Sequence, residues 1–226
     1  MKIARWIDAG VVEGFVIGDR VVPFPDGASV ADVLRSGLQV ARASYDAVRD
    51  EEGVALRDVQ LIAPVVPASL RDFVAFEEHV EGVSASVDGV SDVAAEWYEY
   101  PTFYFTNTHT LSGPGAVVSP PVTQRLDFEL EVALVIGGEG GANLDAEAAA
   151  SAIFGYTIMN DWSARDLQSR EMKVRLGPAK GKDFGTTLGP WIVTADELEP
   201  FLDEEGFLAI HAEVYVNGEL IGEDLC

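Results

Sequence analysis

LDFELEVALVIG, at residues 126–137, is the segment of this chain with the clearest predicted structure. Polar and apolar residues alternate along its first half, which is the pattern of a β-strand. A strand places Asp127, Glu129 and Glu131 on one face, about 6.6 Å apart, so that they can converge on one cation. A solvated strand face is the alternative. However, the segment becomes wholly apolar from Val132, and a strand buried on both faces needs something to neutralise its acids.

The rest of the sequence predicts an α+β protein that is mainly β, with antiparallel strands. A small N-terminal α/β domain is expected at residues 1–65, and a larger domain at residues 66–226. In the small domain, a helix from Val30 to about Arg49 begins after Ser29 as its N-cap. It follows three short strands and precedes a connecting strand, at residues 2–7, 11–17, 21–24 and 59–66.

In the larger domain, residues 69–96 have an impure helical pattern because glycines interrupt it. We predict that the part at residues 80–93 is a loosely packed surface helix or a mobile lid. Strands and turns dominate from residue 97 onwards. The clearest predicted elements are strands at 126–136, 155–159, 191–194 and 208–216, one helix at 146–154, and a hairpin turn at Asn217-Gly218.

The composition excludes several classes of function. The chain has 226 residues, of which 38 are acidic and 15 basic, and its net charge is −23. This charge disfavours nucleic acid and anionic membranes as partners, while 48% hydrophobic residues allow a sizeable core. Four lysines among so many acids also raise the hypothesis of adaptation to high salt. A single cysteine excludes a disulfide framework, and we predict a cytoplasmic protein because no membrane span or signal peptide is recognisable.

A second informative segment is MNDWSARDLQ, at residues 159–168. Its polar residues could simply cap a helix. They could equally form a site, in which Asp161, at the end of a strand, supplies a third carboxylate. Arg165 and Gln168 are three positions apart, so on a helix they share a face and could hold a bound carboxylate.

Two further features are the lysines and the histidines. Three of the four lysines lie at residues 173–182, which suggests an anionic ligand, although a solvated loop is the more common explanation for clustered lysines. The glycine spacing there does not match a phosphate-binding P-loop. Of the three histidines, His79 lies among acids and could titrate near neutral pH as a base, or be a surface residue. His109 lies in a threonine-rich turn, and His211 in an alternating strand is predicted to be structural.

Three blocks of this sequence, taken together and in this order, resemble the fumarylacetoacetate hydrolase family. They are the 126–137 strand with its Glu-x-Glu, then MNDWSARD at residues 159–166, then GKDFGTTLGPW at residues 181–191. The resemblance covers the chain from about residue 60 onwards. It implies a mixed β-sandwich or roll catalytic domain, preceded by a small N-terminal lobe.

The resemblance also implies site residues. The implied ligands of a divalent metal, Mg²⁺ or else Ca²⁺ or Mn²⁺, are four carboxylates: Asp72, Glu129, Glu131 and Asp161. His79 follows Asp72 by seven residues, which is the family spacing of the catalytic histidine. The remaining implied residues are Lys182 in catalysis and three substrate contacts, Arg165, Gln168 and Tyr104.

The implied activity is metal-dependent hydrolysis of a C–C bond in an acylpyruvate-like or fumarylacetoacetate-like diketo acid, through a metal-stabilised enolate, in aromatic catabolism. Decarboxylation, hydration or isomerisation of a 2-oxo acid at the same site is the alternative enzymatic reading. Family members usually continue beyond the Asn217-Gly218 turn, so we expect either a C-terminally truncated form or an inactive relative that retains a metal-binding scaffold as a further alternative. The resemblance also implies a homodimer.

Overall fold

The computed structural model describes residues 1–88 and 93–225, which form a mainly β, α+β structure. Its strands are β1 (Lys2–Ile7), β2 (Val11–Ile17), β3 (Arg20–Pro23), β4 (Val54–Ala55), β5 (Gln60–Ile62), β6 (Leu70–Phe73), β7 (Phe103–Thr106), β8 (Leu111–Ser112), β9 (Leu126–Ile136), β10 (Ile153–Ala164), β11 (Thr186–Leu188), β12 (Ile192–Thr194), β13 (His211–Val216) and β14 (Glu219–Leu225). Its α-helices are α1 (Val30–Ser36), α2 (Leu38–Val48), α3 (Glu77–Asp88), α4 (Ala95–Glu99), α5 (Ala146–Ser151), α6 (Arg165–Glu171) and α7 (Ala195–Leu198).

Ten of the described strands form one sheet, in the order β4-β3-β2-β1-β12-β10-β11-β8, with β5 beside β1 and β9 beside β10. Pairings in this sheet are antiparallel apart from that of β8 with β11. Two antiparallel strand pairs, β6–β7 and the hairpin β13–β14, form separate two-stranded sheets. No described helix is long and apolar enough to cross a membrane.

The N-terminal 65 residues share this sheet and its core with the rest of the chain. Strand β1 pairs with β12, where Ile3 lies opposite Ile192. One apolar cluster joins Phe15 and the two helices α1 and α2 to Phe154 and Ile192. The domain boundary at residue 65 stays a prediction from sequence, and in the structure a continuous sheet and core run across it.

The predicted helix at residues 30–49 is present as two helices rather than one. Ser29 caps α1 as predicted, and it forms a capping box with Asp32. The break lies at Gly37, whose φ of 83° is a left-handed conformation that glycine adopts without strain. The sequence pattern did not reveal this break because the apolar positions continue across it at helical spacing.

Several other predicted elements have different bounds in the structure. The helical prediction for residues 69–96 is wrong at 70–73, which form β6 and pair with β7. The pattern was misleading because this strand has only four residues, with no alternation of polar and apolar residues to set it apart from the longer helical repeat. The predicted surface helix or lid at 80–93 is partly seen as α3, and residues 89–92 lie outside the described residues. Four other elements differ from their predicted bounds. Helix α5 ends earlier, β10 starts earlier and ends later, β5 has only three residues, and β13 starts later.

The predicted strand at residues 126–136 and the hairpin turn after β13 are confirmed. Both turn residues have positive φ, 53° at Asn217 and 84° at Gly218, as a tight hairpin requires. However, β9 is not buried on both faces. Its apolar face is partly open, since Leu126, Leu134 and Ile136 are about half exposed.

Candidate metal centre and active site

The carboxylates of β9 meet those of β10 because the two strands pair in antiparallel register. Glu129 lies directly opposite Asp161, and Asp127 lies opposite Ser163. Directly paired residues project from the same face of a sheet, about 5 Å apart at Cβ. Glu131, two residues along β9, projects from this face as well. The alternation in the sequence therefore becomes one acidic surface formed by two strands.

Asp161 and Lys182 form the buried centre of this surface. Asp161 has no exposed surface, and only 3% of Lys182 is exposed. The Lys182 Nζ donates to Glu129 Oε2 at 2.5 Å and to Asp161 Oδ2 at 2.7 Å. A buried ammonium needs such partners, because burial of an unpaired charge is costly. Asp161 was predicted at the end of a strand, but β10 continues past it to Ala164, which places it inside the sheet.

The β6–β7 strand pair brings two more predicted residues to the same place. Asp72 and Tyr104 are opposite each other in this pair. The Tyr104 hydroxyl lies 3.1 Å from Asp72 Oδ2 and also makes a short hydrogen bond to Asp161 Oδ2. One hydroxyl thus joins the two sheets at the carboxylate cluster.

Arg165, the first residue of α6, closes the other side of the cluster. Its Nε donates to Asp127 Oδ2 at 2.7 Å, and its Nη1 donates to Glu129 Oε1 at 2.6 Å. Nη1 also lies 3.2 Å from Gln168 Oε1, so Arg165 and Gln168 share a helix face as predicted. Asp127 as the partner of Arg165 was not assigned from the sequence, although the alternation placed it on the correct face.

Crowding of the carboxylates changes their acidity. Burial, with the negative charge of Asp161, raises the pKa of the Asp72 carboxyl to about 6. Burial, with the charges of Asp72 and Glu129, raises the pKa of Glu131 to about 7. Burial acts to raise the pKa of Glu129 too, but the Lys182 ammonium and the Arg165 guanidinium outweigh it and hold that pKa below its usual value. At Asp72 and Glu131, the two cations therefore do not outweigh the effects of burial and of the neighbouring negative charges.

The donor set at this cluster fits a divalent cation. Five carboxylates (Asp72, Asp127, Glu129, Glu131 and Asp161) face the two cations Lys182 and Arg165, which leaves three negative charges uncompensated when all are ionised. Among the described residues, the buried Oδ1 of Asp161 has no hydrogen-bond partner, and neither has the Glu131 carboxylate. Carboxylate oxygens are the preferred ligands of Mg²⁺, Ca²⁺ and Mn²⁺.

His79 makes no hydrogen bond or ion pair with this cluster. It lies on α3, is exposed, and makes no hydrogen bond or ion pair with any residue in the ranges 1–88 and 93–225. Its predicted role as a base therefore stays a prediction. Tyr104, Arg165, Gln168, Lys182 and the four carboxylates, by contrast, all come together as one group of side chains.

A second group of possible metal ligands lies on the β13–β14 hairpin. His211, Glu213 and Glu223 place three ligand atoms within 4.8 Å of one another, and all three residues are exposed. Of the described residues, no other group of three holds its ligand atoms so closely. At the buried cluster, the Lys182 ammonium lies between Glu129 and Asp161, and a cation would be bound by the oxygens that Lys182 leaves free.

The fold and this site define a mainly β protein with a buried carboxylate–lysine centre on a long antiparallel strand pair. The model of the family described as fumarylacetoacetate (FAA) hydrolase C-terminal matches residues 69–224. The chain therefore belongs to the fumarylacetoacetate hydrolase family, as the sequence motifs indicated.

Individual relatives agree with this assignment. A fumarylacetoacetase of Arabidopsis thaliana is 37% identical over 187 residues, which cover 75% of this chain and 44% of that protein. The chain thus spans less than half the length of the curated relatives that it matches.

Solved structures confirm the predicted fold. A 5-carboxymethyl-2-hydroxymuconate delta-isomerase from Mycobacterium smegmatis is 25% identical with a TM-score of 0.63, over all of this chain and 76% of that one. A maleylpyruvate hydrolase from Sphingobium sp. SYK-6, in complex with manganese(II) ion and pyruvate, has a TM-score of 0.69 at 22% identity, with the same coverage of both chains.

Proposed function

We propose that this chain belongs to a hydrolase that depends on a divalent metal and cleaves a C–C bond in acylpyruvate-like or fumarylacetoacetate-like diketo acids. The observation that carries the proposal is the carboxylate cluster around the buried Asp161, in which five carboxyl groups face only two cations, Lys182 and Arg165. Such a cluster favours a divalent cation, and a bound cation in turn favours an anionic substrate with adjacent oxygen atoms.

The relatives support this choice of reaction class. The curated relatives are fumarylacetoacetases, and the solved maleylpyruvate hydrolase contains manganese(II) and pyruvate. Pyruvate carries a carboxylate next to a carbonyl, and diketo acids offer a similar arrangement of oxygens. A 2-oxo acid of this kind suits a hard cation that accepts oxygen ligands.

Four carboxylates would hold the metal: Asp72, Glu129, Glu131 and Asp161. When bound there, a divalent cation supplies Lewis acidity that polarises a substrate carbonyl. Mg²⁺, Ca²⁺ and Mn²⁺ are all compatible with an all-oxygen donor set.

The cationic side chains would bind the substrate and stabilise negative charge on it. Lys182 is held beside the carboxylates by two hydrogen bonds, so its ammonium can offset charge that develops on a substrate oxygen. Arg165 uses Nε and Nη1 for Asp127, Glu129 and Gln168, while its Nη2 has no hydrogen bond to a described residue. That N–H group can receive a substrate carboxylate, beside the side chains of Gln168 and Tyr104.

His79 would act as the general base that takes a proton from water, a step that typically contributes about 10²–10⁴-fold to the rate. Since His79 is exposed on α3, this role requires α3 to approach the cluster when substrate binds. His79→Ala should therefore lower kcat by about that factor and leave metal affinity unchanged.

Isomerisation, hydration or decarboxylation of a 2-oxo acid at the same cluster is the second candidate. The solved delta-isomerase, at 25% identity, favours it. The same side chains can stabilise negative charge on a substrate oxygen whether a C–C bond breaks or a proton moves. The homodimer and the cytoplasmic location stay predictions that follow from the resemblance and the sequence.

The test is a turnover assay on the purified chain with added Mg²⁺ or Mn²⁺. Acylpyruvates, oxaloacetate and an unsaturated 2-oxo acid serve as substrates for hydrolysis, decarboxylation and isomerisation. The decisive variant is Glu131→Gln, because Glu131 makes no hydrogen bond to a described residue and its loss removes only a charged oxygen ligand. We expect at least 10-fold weaker Mn²⁺ binding and at least 100-fold lower kcat/KM, with His211→Ala as the matched control.

Each outcome separates the candidates. Faster decarboxylation or isomerisation than hydrolysis would favour the second candidate. Metal binding without turnover of any substrate would favour an inactive metal-binding relative. Full activity in Glu131→Gln, or activity that survives complete removal of divalent metal, would contradict the assigned metal centre.

A further inference from the structure

Lys182 is carried to the buried cluster by a segment without regular strands. Between α6, which ends at Glu171, and β11, which begins at Thr186, the described backbone forms a short 3-10 helix at Met172–Val174 and then turns. Within this segment Lys182 is buried, whereas Lys173 and Lys180 are exposed. A loop has few internal constraints of its own, so something must hold the backbone next to Lys182.

The carboxylate of Glu171 binds this backbone directly. Glu171 Oε1 accepts hydrogen bonds from the backbone N–H of Ala179 at 2.8 Å and of Gly181 at 3.0 Å. Oε2 accepts one from the N–H of Lys180 at 2.8 Å. Three successive N–H groups thus converge on one carboxylate, and hydrogen bonds to a charged acceptor are among the stronger ones in proteins.

Two contacts of Gly181 connect the backbone that Glu171 binds to the region of Arg165 and Gln168. The carbonyl of Gly181 accepts a hydrogen bond from the Ala164 N–H at 2.7 Å, next to Arg165. Gly181 also lies so close to the backbone of Gln168 that a Cβ there would come within 2.8 Å of it. Helix α6 therefore begins with Arg165, which contacts the carboxylate cluster, and ends with Glu171, which binds the backbone of the loop that carries Lys182.

The chemistry of Glu171 agrees with a permanent anion at this position. Partial burial acts to raise its pKa, but the three backbone N–H groups outweigh that effect and hold the pKa of Glu171 below its usual value. Its only described hydrogen bonds are those to the loop, and it does not contact the carboxylate cluster.

We propose that Glu171 is a positioning residue that holds the backbone of residues 179–181 and thereby places the Lys182 ammonium between Glu129 and Asp161. The part of this inference that concerns catalysis rests on the proposed function. The part that concerns the position of Lys182 does not, and it can be measured without any substrate.

The experiment is competitive acylation of the lysines at low reagent concentration, with the rate at each lysine read by mass spectrometry. In the unaltered chain, Lys182 should react at least tenfold more slowly than the exposed Lys2 and Lys173, which serve as internal references. In Glu171→Ala all three hydrogen bonds are lost, and the Lys182 rate should rise at least fivefold relative to those references. Glu204→Ala, which removes an exposed glutamate elsewhere, is the matched control and should leave it unchanged.

Glu171→Gln makes the test specific to the hydrogen bonds. Glutamine retains one carbonyl oxygen for two of the N–H groups but turns an N–H₂ group towards the third, so its Lys182 rate should lie between those of the unaltered chain and Glu171→Ala. Unchanged protection of Lys182 in both variants would overturn the proposal. So would global unfolding in both variants, since it would show a general structural role.

The catalytic consequence has its own readout. If the proposed function holds, Glu171→Ala should lower kcat at least tenfold and change KM less than threefold, because Arg165 and the carboxylates stay in place. A loss of Lys182 protection with no turnover in the unaltered chain would contradict the proposed function and support the positioning role. Normal turnover in a variant whose Lys182 has lost its protection would show that catalysis does not depend on the position of Lys182.

Discussion

The chain carries two groups of metal-type ligands in very different surroundings. On the β13–β14 hairpin, His211 Nε2 lies 3.4 Å from a carboxylate oxygen of each of Glu213 and Glu223, and the three side chains are between 41% and 60% exposed. In the buried centre, the side chain of Asp161 has no exposed surface and that of Lys182 is only 3% exposed. The exposed group holds its ligand atoms closer together, whereas an unpaired charge would be more costly in the buried group.

In the proposed function, the cost of leaving ligands unpaired is a stronger criterion for a metal centre than the distance between the ligands. Water solvates the hairpin charges and weakens their interaction. Burial removes that solvation at the β9–β10 cluster, so its carboxylates interact strongly and their pKa values separate. The following predictions test this difference between the two groups.

The largest expected effect is that of Lys182→Met. It removes one buried ammonium and leaves Glu129 and Asp161 facing each other, a loss that typically costs about 3–5 kcal/mol. The free energy of unfolding in urea at pH 8 measures this cost. The matched hairpin change, Glu223→Gln, should alter it by less than about 0.5 kcal/mol. Equal effects of the two variants would mean that burial does not distinguish the groups.

The next effect is stabilisation by metal. A ligand at about 100 times its Kd stabilises a folded protein by about 2.7 kcal/mol. We expect Mn²⁺ to raise the thermal midpoint of the unaltered chain at pH 8, and Asp161→Asn to abolish that rise. Glu213→Gln should keep it. Loss of the Mn²⁺-induced rise in Glu213→Gln alone would mean that the metal binds at the hairpin and not at the buried centre.

The third effect is the dependence of stability on pH without metal. Asp72 and Glu131 hold their protons more tightly in the folded protein, with pKa values of about 6 and 7, than in the unfolded chain. Their contribution is therefore complete below about pH 4 and is lost as the pH rises through 6 and 7. We expect the free energy of unfolding to fall by about 1–3 kcal/mol between pH 5 and pH 8.

Urea titrations at constant ionic strength measure that change. Glu131→Gln should flatten the profile between pH 5 and pH 8, because it removes the group with the larger shift. A profile that rises over this range, or one that Glu131→Gln leaves unaltered, would show that the buried carboxylates are not the groups that titrate.

The smallest expected effect is that of His211→Ala. Its partners on the hairpin are exposed, and surface ion pairs contribute only about 0–1 kcal/mol. We expect the thermal midpoint and kcat/KM to stay close to those of the unaltered chain, within about twofold for the latter. A large loss of activity in this variant would show that the functional centre lies on the hairpin.

Much of the site could be predicted from short-range patterns. The alternation at residues 126–137 predicted that Asp127, Glu129 and Glu131 share a face, and the structure places them there. The spacing of Arg165 and Gln168 predicted a common helix face, and their side chains are 3.2 Å apart. Such predictions succeed because strand and helix periodicity depend only on local backbone geometry.

Other features could not be predicted because they depend on pairing between distant segments. The pattern around Leu70–Phe73 was interpreted as helical, but the segment is a strand, since the distant Phe103–Thr106 segment offers it a partner. The expectation that β9 is buried on both faces was also wrong, because the residues that pack on a strand are not encoded in the strand itself. The role of Glu171 could not be predicted, because nothing in the sequence around it indicates which backbone N–H groups its carboxylate will bind.

The sequence by itself determined the mainly β architecture, the acidic face of β9 and the family, because these depend on residue order and local periodicity. Only the tertiary structure decided that Tyr104, 57 residues before Asp161, hydrogen-bonds to it, and that Lys182, 53 residues after Glu129, lies beside it. It also decided that His79 makes no hydrogen bond to this cluster and that the Glu171 carboxylate accepts hydrogen bonds from the loop that carries Lys182. The physical reason is that burial and the pairing of charges arise only when strands distant in sequence come together, and these two properties set the chemistry of the site.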